Sequence, residues 1–166
     1  MTETLIAGAL PLIIGIGNPS RGDDALGPAL LAALAADGCD AELMEVYQLQ
    51  PEHAFDLAGR PAVLIVDAVV PRRATAPDAQ PSGVQLQRLH GGPDPSWSSH
   101  ALSPAALLQL CTELCEPAQV PPVWLLGIEA EQFELGAPLS AAARQRLEQA
   151  LVLAHAWLAA QGVAAA

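Results

Sequence analysis

The chain is expected to be an α/β protein, a three-layer α/β/α sandwich built on a mostly parallel sheet, and three observations predict it. Short apolar runs alternate along the chain with longer alanine- and leucine-rich segments. The run Ala62-Val63-Leu64-Ile65-Val66 is apolar throughout and shows no polar alternation. Glycine and proline stand at the junctions, as at Gly27-Pro28, Gly38 and Ser103-Pro104. A strand covered on both faces is continuously apolar, whereas a strand with one wet face alternates. Strands of that kind interleaved with helices place helices on both sides of a parallel sheet.

The elements follow in order. Leu12 to Gly17 is the first buried strand, and a long loop carries the chain to a helix opened by Gly27-Pro28 and stopped at Gly38. Proline fits the first helical turn because its missing N–H would have no partner there, and glycine suits the C-terminal stop. Ala41 to Tyr47 is a second strand, followed by a short helix with Pro51 and Glu52 in its first turn. Pro61 to Val70 holds the central strand, which is expected to end at Asp67. The stretch Pro71 to Ser99 is rich in proline, glycine and serine and carries one strand, Val84 to Leu89, placed at an edge between exposed loops. Ser103-Pro104 forms an N-cap and N1 pair for a helix to about Cys115, and Val123 to Leu126 is a short strand that closes at Gly127. A last helix runs from Ser140 to Gln161, with Leu147, Leu151, Ala154 and Leu158 on one stripe and Gly162 as its stop.

Length and composition restrict the function. With 166 residues, 52% of them hydrophobic, the chain is expected to be one domain, 1–166, around one core. Eighteen acidic residues against seven Lys and Arg give a net charge of −11, which repels a phosphate backbone, so nucleic acid is not an expected partner. The apolar run Leu5 to Gly17 lacks a basic leader, contains Pro11 and enters a glycine-rich loop, so it reads as a strand and not as a signal peptide. No stretch reaches the roughly 18 apolar residues of a membrane helix. A cytoplasmic chain without membrane contact is expected. Cys39, Cys111 and Cys115 are odd in number and lack C-x-x-C spacing, which fits reduced thiols packed in a core.

In an open parallel sheet, ligands bind beyond the carboxyl ends of the strands. That rule selects Asp23 and Asp24 in the loop after the first strand, Asp67 at the end of the central strand, and His100 just before the Ser103 helix. An acid directly after five apolar residues is costly unless it faces a cleft or a partner. Two carboxylates and an imidazole suit Ni²⁺ or Zn²⁺ with an open coordination position. Two carboxylates can equally share a proton and activate water, and Asp24 can also serve backbone amides in a tight loop. His53, His90 and His155 are read as structural or solvated. The chain has no G-x-S-x-G, Ser20 stands where a G-x-G-x-x-G motif would need its third glycine, and a chain without lysine has no P-loop.

The run Gly15-Ile16-Gly17-Asn18-Pro19-Ser20-Arg21-Gly22-Asp23-Asp24-Ala25-Leu26-Gly27 resembles the opening signature of the [NiFe] hydrogenase maturation endopeptidases. The similarity continues at Leu64-Ile65-Val66-Asp67-Ala68, at Ser99-His100-Ala101-Leu102-Ser103-Pro104, and at Gly127-Ile128-Glu129 with Phe133-Glu134-Leu135-Gly136 and Leu139-Ser140. The resemblance implies a twisted, mostly parallel five-stranded sheet and a protease that removes the C-terminal extension of the large-subunit precursor. It further implies that Asp24, Asp67 and His100 form the catalytic and metal-contacting trio. Nickel would be supplied by the substrate and not permanently bound. The family often carries glutamate where Asp24 stands, and Asp23 is the neighbouring alternative. Gln48-Leu49-Gln50-Pro51-Glu52 resembles the segment found in relatives that serve soluble-type hydrogenases. A non-catalytic nickel-checking chaperone of the same precursor is the alternative reading.

Overall fold

A computed structural model describes residues 9–70, 83–92 and 102–162. Along the chain run β1 (Leu12–Ile16), α1 (Leu26–Ala36), β2 (Glu42–Val46), α2 (His53–Leu57), β3 (Val63–Val69), β4 (Val84–Arg88), α3 (Pro104–Leu114), β5 (Val123–Glu129) and α4 (Ala141–Ala160). The strands form one sheet in the order β2-β1-β3-β5-β4. β1, β2, β3 and β5 are mutually parallel, and β4 closes one edge antiparallel to β5. The expected five-stranded, mostly parallel sheet is the one observed.

Side-chain alternation divides the core into two layers. Ile13, Leu64, Val66, Leu126 and Ile128 point to the face covered by α1 and α4, where Leu30, Leu34, Ala150, Ala154 and Trp157 are buried. Leu12, Ile14, Val63, Ile65 and Val123 point to the face covered by α2 and α3, where Leu57, Leu107 and Cys111 are buried. Both faces of β1 and of the first half of β3 are therefore dry, which is why their sequences are apolar without alternation. β4 lies at the edge, and its pattern Val84-Gln85-Leu86-Gln87-Arg88 alternates accordingly. On the α4 face Trp157 meets Trp124 edge-on at 5.8 Å, and the Arg88 guanidinium lies 4.5 Å over the Trp124 ring.

Helix ends follow the local chemistry. Ser103 Oγ accepts a hydrogen bond from the Ala106 N–H, capping α3 as expected, and Ser140 Oγ likewise caps α4 by accepting from the Ala143 N–H. Two boundaries differ from expectation. β5 does not close at Gly127 but continues to Glu129, because Gly127 pairs in register between Asp67 on β3 and Gln85 on β4. β3 likewise runs past Asp67 to Val69, held by the same ladder. Among the described residues no helix is long and apolar enough to cross a membrane.

Candidate active site

The sheet order creates one crevice. From β1 the chain crosses to β2 on one side, whereas β3 leads to β5 and β4 on the other, so the β1–β3 boundary is the switch point of the sheet. The ladder between β1 and β3 ends at the Gly15–Val66 pair, and that between β3 and β5 continues to Val69–Glu129. Asp67 is the first residue of β3 that β1 no longer covers. By alternation it shares the face of Val63 and Ile65, the α2–α3 side. Its neighbour across β5 on that face is Gly127, which offers no side chain to bury it.

The loop after β1 is held in place from several directions. A Cβ on Gly15 would lie 2.8 Å from the Gly27 carbonyl oxygen, and one on Gly27 would overlap the Ile16 carbonyl, so the two glycines let α1 start against the end of β1. Gly17 has φ +143°, and a Cβ there would overlap the Asp24 carbonyl oxygen. Its N–H donates to the Val46 carbonyl at 2.9 Å, tying the turn to the end of β2. The Asn18 N–H then donates to Asp24 Oδ2 at 2.8 Å. These contacts fold the loop back so that half-buried Asp24 sits at the mouth of the crevice.

The adjacent aspartate has a different role. Asp23 is fully buried. Its Oδ2 accepts from the Glu131 N–H at 2.9 Å, the Gln132 N–H at 3.1 Å and the Ser140 hydroxyl at 2.8 Å, while Oδ1 accepts from the Ser140 N–H at 2.7 Å. Its own N–H donates to the Gln132 carbonyl at 2.6 Å. Burial alone would raise its pKa, but the hydrogen bonds from Ser140, Glu131 and Gln132 together outweigh it and hold the carboxyl below its ordinary value. Asp23 is a structural latch between the first loop, the β5–α4 loop and the cap of α4. The reading of Asp23 as a spare ligand in place of Asp24 is thereby corrected, since its oxygens are committed to four donors.

Asp67 is shifted the other way. Burial first, and the nearby Asp24 carboxylate second, push its pKa up to about 7 against the single opposing hydrogen bond from the Ala68 backbone. No Arg or His among the described residues forms an ion pair with either Asp24 or Asp67. Such a pair can hold a shared proton, or it can supply oxygen ligands to a cation that relieves the repulsion. The donor chemistry fits Ni²⁺, with two carboxylates available at one opening. Among the described residues no group of three or more His, Cys, Asp and Glu side chains is placed to hold a metal ion. His100, the nitrogen donor expected from sequence, lies outside the described residues, three positions before the Ser103 cap.

The other histidines behave as expected. His53 Nδ1 accepts from the Gln50 N–H at 2.8 Å, His155 pairs with Asp37 at 2.9 Å on the surface, and His90 is exposed. What sequence reasoning missed is the latch between Asp23 and Ser140. The signal was present, because the blocks around Asp23 and Leu139-Ser140 stand in the same signature set, but nothing in either block says that they touch.

No family model matches the chain, and no curated protein matches it. Solved structures do. The hydrogenase maturating endopeptidase HybD from E. coli superposes with a TM-score of 0.68 at 23% identity, covering 92% of this chain and 94% of that one. The [NiFe] hydrogenase maturation protease HybD from Thermococcus kodakarensis gives 0.67 at 22% identity over 90% and 99%. An endopeptidase from Escherichia coli gives 0.70 at 24% identity over 93% and 94%. The chain thus has the α/β fold of the hydrogenase maturation endopeptidases over nearly its whole length.

Proposed function

We propose that this protein is an endopeptidase that removes the C-terminal extension of a [NiFe] hydrogenase large-subunit precursor in the cytoplasm after nickel has been inserted. The observation that carries the reading is the Asp24–Asp67 pair at the switch point of this fold, which no Arg or His among the described residues meets in an ion pair. A carboxylate pair that no Arg or His among the described residues meets in an ion pair suits a cation that arrives with the substrate. Nickel is then cargo of the precursor and serves as the mark of a finished subunit. Asp24 and Asp67 contact it through oxygen, and His100 adds a nitrogen from the segment ahead of α3. Together they place the scissile bond beside the metal.

Asp67 also carries the proton chemistry. With a pKa raised to about 7 it exchanges its proton near neutrality, where a general base is most effective. Coordination of a cation by Asp67 displaces that proton, so binding of the nickel centre is coupled to proton release. The exposed Gln48 at the end of β2 and the segment to Glu52 support a soluble-type hydrogenase as the source of the precursor.

The test is incubation of the purified protein with nickel-loaded and nickel-free precursor, with the precursor C-terminus followed by mass spectrometry. Cleavage of the nickel-loaded form alone is expected. Binding of the loaded precursor without any cleavage would replace this reading with the non-catalytic chaperone. Equal cleavage of both forms would contradict the role given to nickel.

A further inference from the structure

Seven large hydrophobic side chains are exposed among the described residues: Leu10, Tyr47, Phe55, Val70, Leu114, Leu135 and Val152. Singly, exposed apolar residues mean little. Three of them lie at one edge of the sheet. Tyr47, 72% exposed, directly follows β2; Val70, 70% exposed, directly follows β3; Leu135, 77% exposed, lies in the loop after β5. These three strands are parallel, so all three residues stand at the carboxyl edge of the sheet, the edge that opens onto Asp24 and Asp67.

Backbone hydrogen bonds fasten each of them to the carboxylate-bearing segments. The Val46 carbonyl next to Tyr47 accepts from Gly17, one residue before the Asn18 N–H that holds Asp24. The Gly136 N–H beside Leu135 donates to the Ser20 carbonyl at 2.7 Å, and the Arg21 side chain reaches the Phe133 carbonyl at 3.4 Å. Val69, next to Val70, lies two residues beyond Asp67 and accepts from the Ala130 N–H at 2.9 Å. The Asp23 latch fixes the Leu135 loop relative to Asp24 from beneath. An acidic pair that meets no Arg or His in an ion pair among the described residues thus shares its edge of the sheet with an exposed apolar residue on each of three segments.

We propose that Tyr47, Val70 and Leu135 form the docking rim for the polypeptide substrate, and that the partner surface they fit is apolar around a bound divalent cation. Charge and hydropathy agree on that occupant. The two carboxylates favour a cationic centre, and the exposed apolar residues gain from apolar neighbours that exclude water from it. A free hydrated metal ion would satisfy the first requirement and not the second. The proposal deepens the protease reading and rests on it for the identity of the partner.

The experiment uses nickel-loaded precursor with wild type and with Tyr47→Ser, Val70→Ser and Leu135→Ser, measuring both the dissociation constant and the cleavage parameters. Val152→Ser is the control, since Val152 is 68% exposed but lies on α4, outside the rim. The rim variants are expected to weaken binding and raise KM by about 5- to 30-fold each, the range of an interface anchor, with kcat and the melting temperature held. Val152→Ser is expected to leave all of these unchanged. Binding that is unaffected in all three rim variants, or weakened equally by Val152→Ser, would overturn the rim. A wild type that binds through the rim without cutting would contradict the protease reading and leave the rim standing, so the two failures are separable.

Discussion

Asp23 and Asp24 are neighbours in sequence and opposites in chemistry. Asp23 is sealed from solvent and accepts four hydrogen bonds, which lower its pKa, so its charge is fully used in joining three segments. Asp24 is half-buried, accepts from the Asn18 N–H, and faces Asp67, whose pKa it helps to raise. Saturation by donors makes a carboxylate structural, whereas an incomplete set of partners leaves it able to take a ligand or a proton. The two sites also depend on each other, because the latch fixes the loop from which Asp24 projects.

The largest effect expected from this contrast is on the latch. Asp23→Ala would leave three part-buried N–H groups and a hydroxyl without their acceptor, at a cost of about 3–4 kcal/mol by the usual penalties for orphaned donors, read by chemical denaturation. A loss below about 1 kcal/mol would place Asp23 in a role other than structural.

Asp67 tests the opposite side. Its native pKa is raised from 3.8 to about 7, so its contribution to stability is fully present below pH 3.8 and is lost as pH rises through about 7. Asp67→Asn is therefore expected to match wild type near pH 4 and to exceed it at pH 8, by an amount bounded at about 4 kcal/mol from the size of the shift. Denaturation curves at the two pH values check the sign. A stability difference that shrinks with rising pH would show that Asp67 is stabilised as a charge. Asp24→Asn should lower the Asp67 pKa, an effect visible in a carboxyl ¹³C titration.

A smaller effect is expected at Ser140, whose hydroxyl donates to Asp23 and accepts from the Ala143 N–H. Ser140→Ala removes one bond of the latch and the cap of α4 together, costing about 1–2 kcal/mol. Thermal melts would register it without loss of helix signal. A neutral result would mean that the Ser140 backbone N–H alone secures the latch.

Much of the fold was legible because local rules carried it. β1 and β3 declared themselves by unbroken apolar runs, α3 by its Ser103-Pro104 cap, and α4 by an apolar stripe ending before Gly162. β4 showed the alternation of an edge strand. The ends of β3 and β5 were not legible, since Asp67 and Gly127 look like strand terminators and are kept in the sheet by pairing across it, Asp67 with Gly127 and Gly127 also with Gln85. The site divided in the same way. Asp24 and Asp67 were singled out by the rule that selects carboxyl ends of strands, and the structure brings the two carboxylates close enough to interact. The sorting of Asp23 from Asp24 depends on donors 108 to 117 residues away, which no local pattern encodes.

The most direct test of the account is the precursor C-terminus after incubation with Asp24→Asn, measured by mass spectrometry beside the melting temperature of the same variant. The change is nearly isosteric and retains a carbonyl oxygen toward the Asn18 N–H, so stability is expected within about 1 kcal/mol of wild type while cleavage of the nickel-loaded precursor is abolished. Cleavage at the wild-type rate by a folded Asp24→Asn protein would contradict the assignment of the Asp24–Asp67 pair as the active centre.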